Sequence, residues 1–259
     1  MEFTMKKILS VVACGAVFAT VATADIARVE MGAGAWAQKS SGEITYTSSG
    51  GTGNDKSLEK DETNGYAWLL VKHPIPILPN LRVEYTSVKN SGEVTGSFKE
   101  FSVTTTANST LEMKQFDIIP YYNILDNMPW ITIDLGIDVK ATNVSYEAIG
   151  DVKINGVTNT SYSESTSLAI PLLYARARVQ IPATNIGLES DLKYIGYSSS
   201  SIYDFRAKVD YTLDFIPIVQ PALEVGYRAQ KIKIDEEGST NATMDLSFSG
   251  IYAGLMLRF

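Results

Sequence analysis

The sequence has almost none of the residues most often used for chemistry. Its one cysteine is Cys14 and its one histidine is His73. Cys14 lies in a segment expected to be removed, so a disulfide framework and a thiolate metal site are both excluded. Basic residues are outnumbered, 22 against 29 acids, and form no patch, which excludes nucleic acid as a partner. After residue 24 no apolar run approaches the roughly 20 residues that a spanning helix needs.

The first 24 residues read as a secretory signal peptide: Lys6 and Lys7, an apolar run from Ile8 to Val21, and the cleavage site Ala22-Thr23-Ala24. The run is too short for an anchor. A lipid-attachment box at Cys14 would leave too short an apolar region after Lys7. Residues 25–259 are then the mature chain. Removing Glu2, Lys6 and Lys7 takes its net charge from −7 to −8.

Against these absences, 45% of residues are apolar, spread over alternating segments separated by turn residues. Segments of about 9–11 alternating residues suit tilted membrane strands. Soluble strands average about 5–6. The expected fold is all-β: a transmembrane antiparallel up-and-down β-barrel of ten strands. Ile131, Ile133, Leu135, Ile137, Val139 and Ala141 alternate with Thr132, Asp134, Gly136, Asp138 and Lys140. Tyr203, Phe205, Ala207, Val209, Tyr211 and Leu213 alternate with Asp204, Arg206, Lys208 and Asp210. Long polar connections at 39–64, 90–109, 145–163, 198–201 and 235–243 are expected as surface loops, with two alternatives open: Glu43 to Thr47 as an extension of the first strand, and a hairpin within 90–109. Short ones with prolines or Asp126-Asn127 are expected as periplasmic turns. Tyr121, Tyr122, Trp130, Phe215 and Phe259 at turn ends, with Tyr66, Trp68, Tyr197 and Tyr203 at loop ends, suggest two aromatic girdles.

The last segment alternates as well. Tyr252-x-Gly254-x-x-Leu257-x-Phe259 resembles the C-terminal signal that bacterial barrel-assembly machinery reads in its clients. Other stretches resemble an uncharacterised family of Gram-negative outer-membrane β-barrel proteins. They are His73-Pro74-x-Pro76-x-x-Pro79-Asn80, Leu125-Asp126-Asn127 leading into Ile133-Asp134-Leu135-Gly136, Leu173-Tyr174-Ala175-Arg176-Ala177, Asp204-Phe205-Arg206-Ala207-Lys208-Val209 and Glu224-Val225-Gly226-Tyr227-Arg228. The resemblance covers most of the mature chain and implies fold and outer-membrane location, with no activity to carry over. It implies as partners the outer-membrane lipid and, during biogenesis, the assembly machinery and periplasmic chaperones.

Function is then expected inside the barrel or on its loops. The inward acids are Glu30, Glu84, Asp117, Asp134, Asp138, Glu189, Asp191, Asp204, Asp210 and Glu224. The inward bases are Arg28, Lys72, Arg82, Lys140, Arg176, Arg178, Lys193, Arg206, Lys208, Arg228 and Arg258. Such a balance predicts cross-strand ion pairs, because buried charge must be paired. A selective pore more often carries an excess of one sign. Ten strands enclose little space, since about eight are just filled by side chains. The expected role is therefore structural or interactive, with a narrow charge-paired lumen; the alternative is a small passive channel for ions or polar solutes.

Catalysis is not expected. Outer-membrane barrel enzymes usually place a histidine near the outer rim, and His73 falls at a periplasmic turn. Asp134 and Asp138 share a face, but arginines nearby would simply pair with them. No cofactor or metal is expected. The acidic stretches Asp55, Glu59, Asp61, Glu62 and Asp235-Glu236-Glu237 lack a cation-loop spacing and read as solvated.

Overall fold

The computed structural model describes residues 27–57, 60–75, 77–128, 130–214, 219–236 and 241–259. The expected signal peptide lies outside them. Eleven strands follow one another: β1 (Arg28–Ser48), β2 (Gly51–Ser57), β3 (Asp61–Lys72), β4 (Asn80–Ser97), β5 (Ser102–Met128), β6 (Ile131–Ile154), β7 (Val157–Gln180), β8 (Ile186–Tyr197), β9 (Ser200–Thr212), β10 (Gln220–Glu236) and β11 (Asn241–Arg258). Each pairs antiparallel with its neighbours, and β11 pairs with β1 to close the ring. Closure leaves no sheet edge inside the belt, the condition for a sheet to cross hydrocarbon.

The barrel has ten staves. β2 and β3 run in the same direction along β1 and share it end to end, Glu43 opposite Lys56 and Lys39 opposite Asp61. They form one stave with a one-residue offset between them. This accounts for eleven segments in a ring that the sequence predicts to have ten.

Burial follows the alternation. On β6, Leu135, Ile137 and Val139 are exposed outward while Asp134, Asp138 and Lys140 are buried inward. The same split holds for Leu81 and Tyr85 against Arg82 and Glu84, and for Phe116 and Ile118 against Asp117 and Ile119. Large exposed apolar side chains recur on β3 to β11 and form a belt. In water such a surface would be far beyond what monomers tolerate. Against hydrocarbon it is the face expected of a membrane barrel.

Two expectations need correction. The segments at 39–64, 90–109 and 145–163 are mostly strand, not loop. β1 reaches Ser48, β4 and β5 leave four residues between them, and β6 turns into β7 at Asn155-Gly156. Both of those turn residues have positive φ, 50° and 80°, the backbone that a two-residue hairpin requires. Beyond the belt both faces of a strand are polar, so the apolar alternation that marks a strand disappears while the ladder continues. The girdles are also only partly as expected. Tyr122, Trp130 and Tyr197 are exposed, but Tyr66, Trp68 and Tyr121 point into the lumen and are buried. Phe215 lies outside the described residues.

Candidate functional site

Every charged residue expected inside the barrel is on an inward face. Most are almost inaccessible; Arg28, Lys72 and Arg258, towards the short-turn rim, are the more open ones. Strand register decides who meets whom. Asp134 lies opposite Arg176, Arg176 opposite Asp191, Arg178 opposite Glu189, and Glu189 opposite Lys208. Inward side chains on adjacent staves stand about 5 Å apart, within reach of long charged groups.

The pairs join into a network across the barrel. At the short-turn end Arg258 Nε donates to Glu30 (2.9 Å) and its Nη2 to Asp210 (2.5 Å). Arg178 also donates to Asp210 (2.6 Å). Glu189 receives Arg82 (3.2 Å), Arg176 (2.8 Å) and Arg178 (3.3 Å). Arg176 reaches Asp134 as well (2.6 Å). Higher up, Glu84 receives Arg82 (2.5 Å), Lys193 (2.6 Å) and Arg206. Arg206 pairs with Asp191 (3.0 Å). Lys193 also pairs with Asp117, which takes Lys140 at 2.8 Å. Arg228 closes the upper layer on Asp204 (2.5 Å) and Thr86 (2.7 Å).

Aromatic side chains that the sequence assigned to the girdles belong to this network. Tyr66 donates to Glu224 at 2.7 Å and Trp68 Nε1 to the same oxygen at 3.2 Å. Lys208 completes Glu224 at 2.8 Å and lies 4.4 Å over the Trp68 ring. Arg82 lies over the same ring and Arg228 over Trp36. An aromatic residue near the end of a strand looks the same in sequence on either face. Only the stave's period settles it, and between Gly65 and Val71 β3 has no charged residue to show that period.

Asp138 stands apart. It is fully buried, neither carboxyl oxygen has a hydrogen-bond partner, and its nearest cation is Lys193 at 3.9 Å. It is the least compensated acid of the lumen.

The assembly-signal residues serve the seam. Tyr252 is buried and meets Tyr66 edge-on, ring centroids 5.3 Å apart. Gly254 leaves room for that ring: a Cβ there would stand 2.4 Å from the Tyr66 hydroxyl and 2.5 Å from the Ala33 carbonyl. Leu257 and Phe259 take the other parity, and Phe259 exchanges backbone hydrogen bonds with Val29. These contacts explain the residues without a receptor; reading by assembly machinery remains an expectation.

Above the charged layers lies an apolar layer with Val88, Leu111, Met113, Leu246 and Phe248. Above that, Asp55 is buried and accepts from Ser109 and Tyr146, both at 2.7 Å. It was expected in a solvated acidic loop. The β1–β2 hairpin instead turns it inward, and burial beside the Asp55 carboxylate pushes the Tyr146 phenol well above the ordinary tyrosine range. Phe98, Phe101 and Tyr162 stack over this site, with centroids 4.9 and 4.4 Å apart. Among the described residues no group of three His, Cys, Asp or Glu is placed to hold a metal ion.

His73 is at the short-turn end. Its ring nitrogens contact the Pro79 carbonyl (2.9 Å) and the Ile75 amide (3.2 Å), so it holds the proline turn.

No protein-family model matches the chain, and no curated protein matches it. Solved structures do. The outer membrane protease OmpT from Escherichia coli superposes with a TM-score of 0.54 at 12% identity, over 92% of this chain and 98% of that one. The transport unit of the autotransporter AIDA-I from Escherichia coli gives 0.36 at 10%, over 91% of each chain. A Pseudomonas aeruginosa FadL homologue gives 0.29 at 7%, over 90% and 89%. The likeness to the first shows a shared fold: that of the bacterial outer-membrane β-barrels.

Proposed function

We propose that this protein is a closed barrel of the bacterial outer membrane whose working surface is its long-hairpin end, with a structural or interaction role. One observation carries the closed lumen. Arg82 and Glu84 from β4, Asp138 from β6 and Lys193 from β8 project into the barrel from three staves, and each is at most 2% exposed. A water-filled passage between them would leave them wetted. The charges fill the section themselves, and their mutual pairing offsets the desolvation that a plugged lumen imposes.

The same pairing argues against catalysis inside. Apart from Asp138, the lumen acids have arginine or lysine partners in direct contact, and the only histidine braces a turn at the other end from the long hairpins. The belt contacts outer-membrane lipid, and a chain of this kind depends on chaperones and assembly machinery while it folds.

Single-channel recording of the refolded mature protein in a planar bilayer tests the reading. It predicts a heat-shifted folded band on a gel and no conductance steps. Reproducible steps that change when Arg176 or Asp134 is neutralised would make the protein a small passive channel instead.

A further inference from the structure

The barrel rim is uneven. β8 and β9 turn back at Tyr197 and Ser200, while β7 beside them continues far above. β8 pairs with β7 only from Leu173 to Gln180. Between Val157 and Leu172, β7 has β6 on one side and, among the described residues, no strand on the other. From Val157 to Ala169 it is exposed on nearly every residue of both faces.

The backbone shows which groups point to the open side. The Gln180 amide donates towards the β6 side, to the Trp130 carbonyl at 2.8 Å. The register runs unshifted along β7 from Val179 to Ser161. Even-numbered residues therefore bond β6, and odd-numbered ones face away. Pro171, which has no N–H, is at an odd position, where the ladder loses nothing. Ser161, Ser163, Ser165, Ser167 and Ala169 thus offer their N–H and C=O groups to the open side.

Natural edges are usually blocked with lysine, proline or a bulge. This one has no lysine or proline between Val157 and Ile170, and its one register shift with β6 falls near the tip, at Ile149/Val152 opposite Ser161 and Asn159; its one charge is Glu164. Charge also gives the partner's sign. Glu164 lies on the inner face at mid-edge, and Glu147, opposite Ser163, lies on the outer face. The nearest base on β6, Lys153, is opposite Thr158 at the tip. Where β8 and β9 stop there is room beside β7 for an added strand, which needs roughly 5 Å.

The geometry points to β7 as a docking edge for an extended, basic segment of another protein, added as a further strand. Backbone pairing would supply the affinity, and a lysine or arginine on each face would meet Glu147 and Glu164. The inference rests on the reading that the long-hairpin end is the working surface. Its test leaves the lumen untouched, so its failure is distinct from the appearance of conductance.

The probe is a fluorescent peptide of about ten valine and threonine residues with adjacent lysine pairs, so that each face of the strand carries lysine, titrated into the mature protein in lipid nanodiscs. Saturable binding is expected. A peptide of the same sequence with all its backbone amides N-methylated keeps its charge but cannot pair from either edge, and is expected to bind at least ten-fold more weakly. Ser165→Pro is expected to lower affinity as much while the heat-shifted band persists; Ser165→Ala leaves it unchanged. Glu147→Gln with Glu164→Gln weakens binding several-fold. No binding, or equal binding of the methylated peptide, overturns the inference. A cross-linked dimer that forms without peptide and is lost in Ser165→Pro would also overturn it, by giving the edge to a second copy of this chain.

Discussion

Lys193→Met is the substitution that presses hardest on the charged lumen. Lys193 is fully buried on β8 and touches three carboxylates: Glu84 at 2.6 Å, Asp117, and Asp138 at 3.9 Å. Methionine keeps much of the length and packing of the side chain but removes the charge. Glu84 retains Arg82 and Arg206, and Asp117 retains Lys140. Asp138 retains nothing. Breaking a buried pair by removing one partner costs about 3–5 kcal/mol, and the loss of three contacts places this change at the upper part of that range. Lys231→Met is the reference. Its pair with Asp245, 3.1 Å long, is on the outer surface with both side chains a third or more exposed. Exposed pairs contribute about 0–1 kcal/mol. Urea unfolding in lipid vesicles, followed by tryptophan fluorescence, reads both. Adding Asp138→Asn to Lys193→Met is expected to recover part of the loss, because the orphaned charge is then gone. A Lys193→Met barrel within about 1 kcal/mol of the parent would refute the claim that these pairs hold the lumen.

Other outcomes follow from single contacts. Tyr66→Phe leaves Glu224 with Lys208 and Trp68 and is expected to cost about 1–3 kcal/mol in the same urea assay. Gly254→Val puts a branched side chain where a Cβ already meets the Tyr66 hydroxyl and the Ala33 carbonyl; the heat-shifted fraction after refolding should fall sharply. The Tyr146 phenol is shifted upward, so its contribution is fully present below the unfolded tyrosine pKa, about 10, and is lost as pH rises above it. Urea midpoints from pH about 9 to about 11 should fall less for Tyr146→Phe than for the parent.

How legible was this in the sequence? The belt and its lining were, because lipid outside and charge inside give the strongest contrast a period of two can carry. Ile131 to Ala141 and Tyr203 to Leu213 show it residue by residue, and the inward charges follow from it. The upper barrel was not legible. Ser161 to Ser167 have polar or serine neighbours on both faces, so nothing in their pattern separates a paired strand from a loop. Asp55 was misplaced for the same reason: a carboxylate among glycines, asparagines and lysines reads as solvent-exposed until the hairpin turns it against Ser109 and Tyr146. Tyr66, Trp68 and Tyr121 show a different limit. Aromatics near strand ends suit both a girdle and a lumen, and only partners from distant staves, such as Glu224, decide between them.

The central claim is a lumen closed to water by its own side chains, and cysteine accessibility tests it most directly. The mature chain is expected to have no native cysteine, so each introduced thiol is the only one. Ser40→Cys and Thr142→Cys place near-isosteric thiols at buried inward positions; Ser163→Cys places one on the exposed outer face of β7. A small charged thiol reagent, added to the folded barrel in lipid, should label Ser163→Cys and leave the two lumen thiols unlabelled until the barrel is unfolded. Labelling all three at similar rates would mean that water and solutes pass through the barrel, and the closed-lumen account would be wrong.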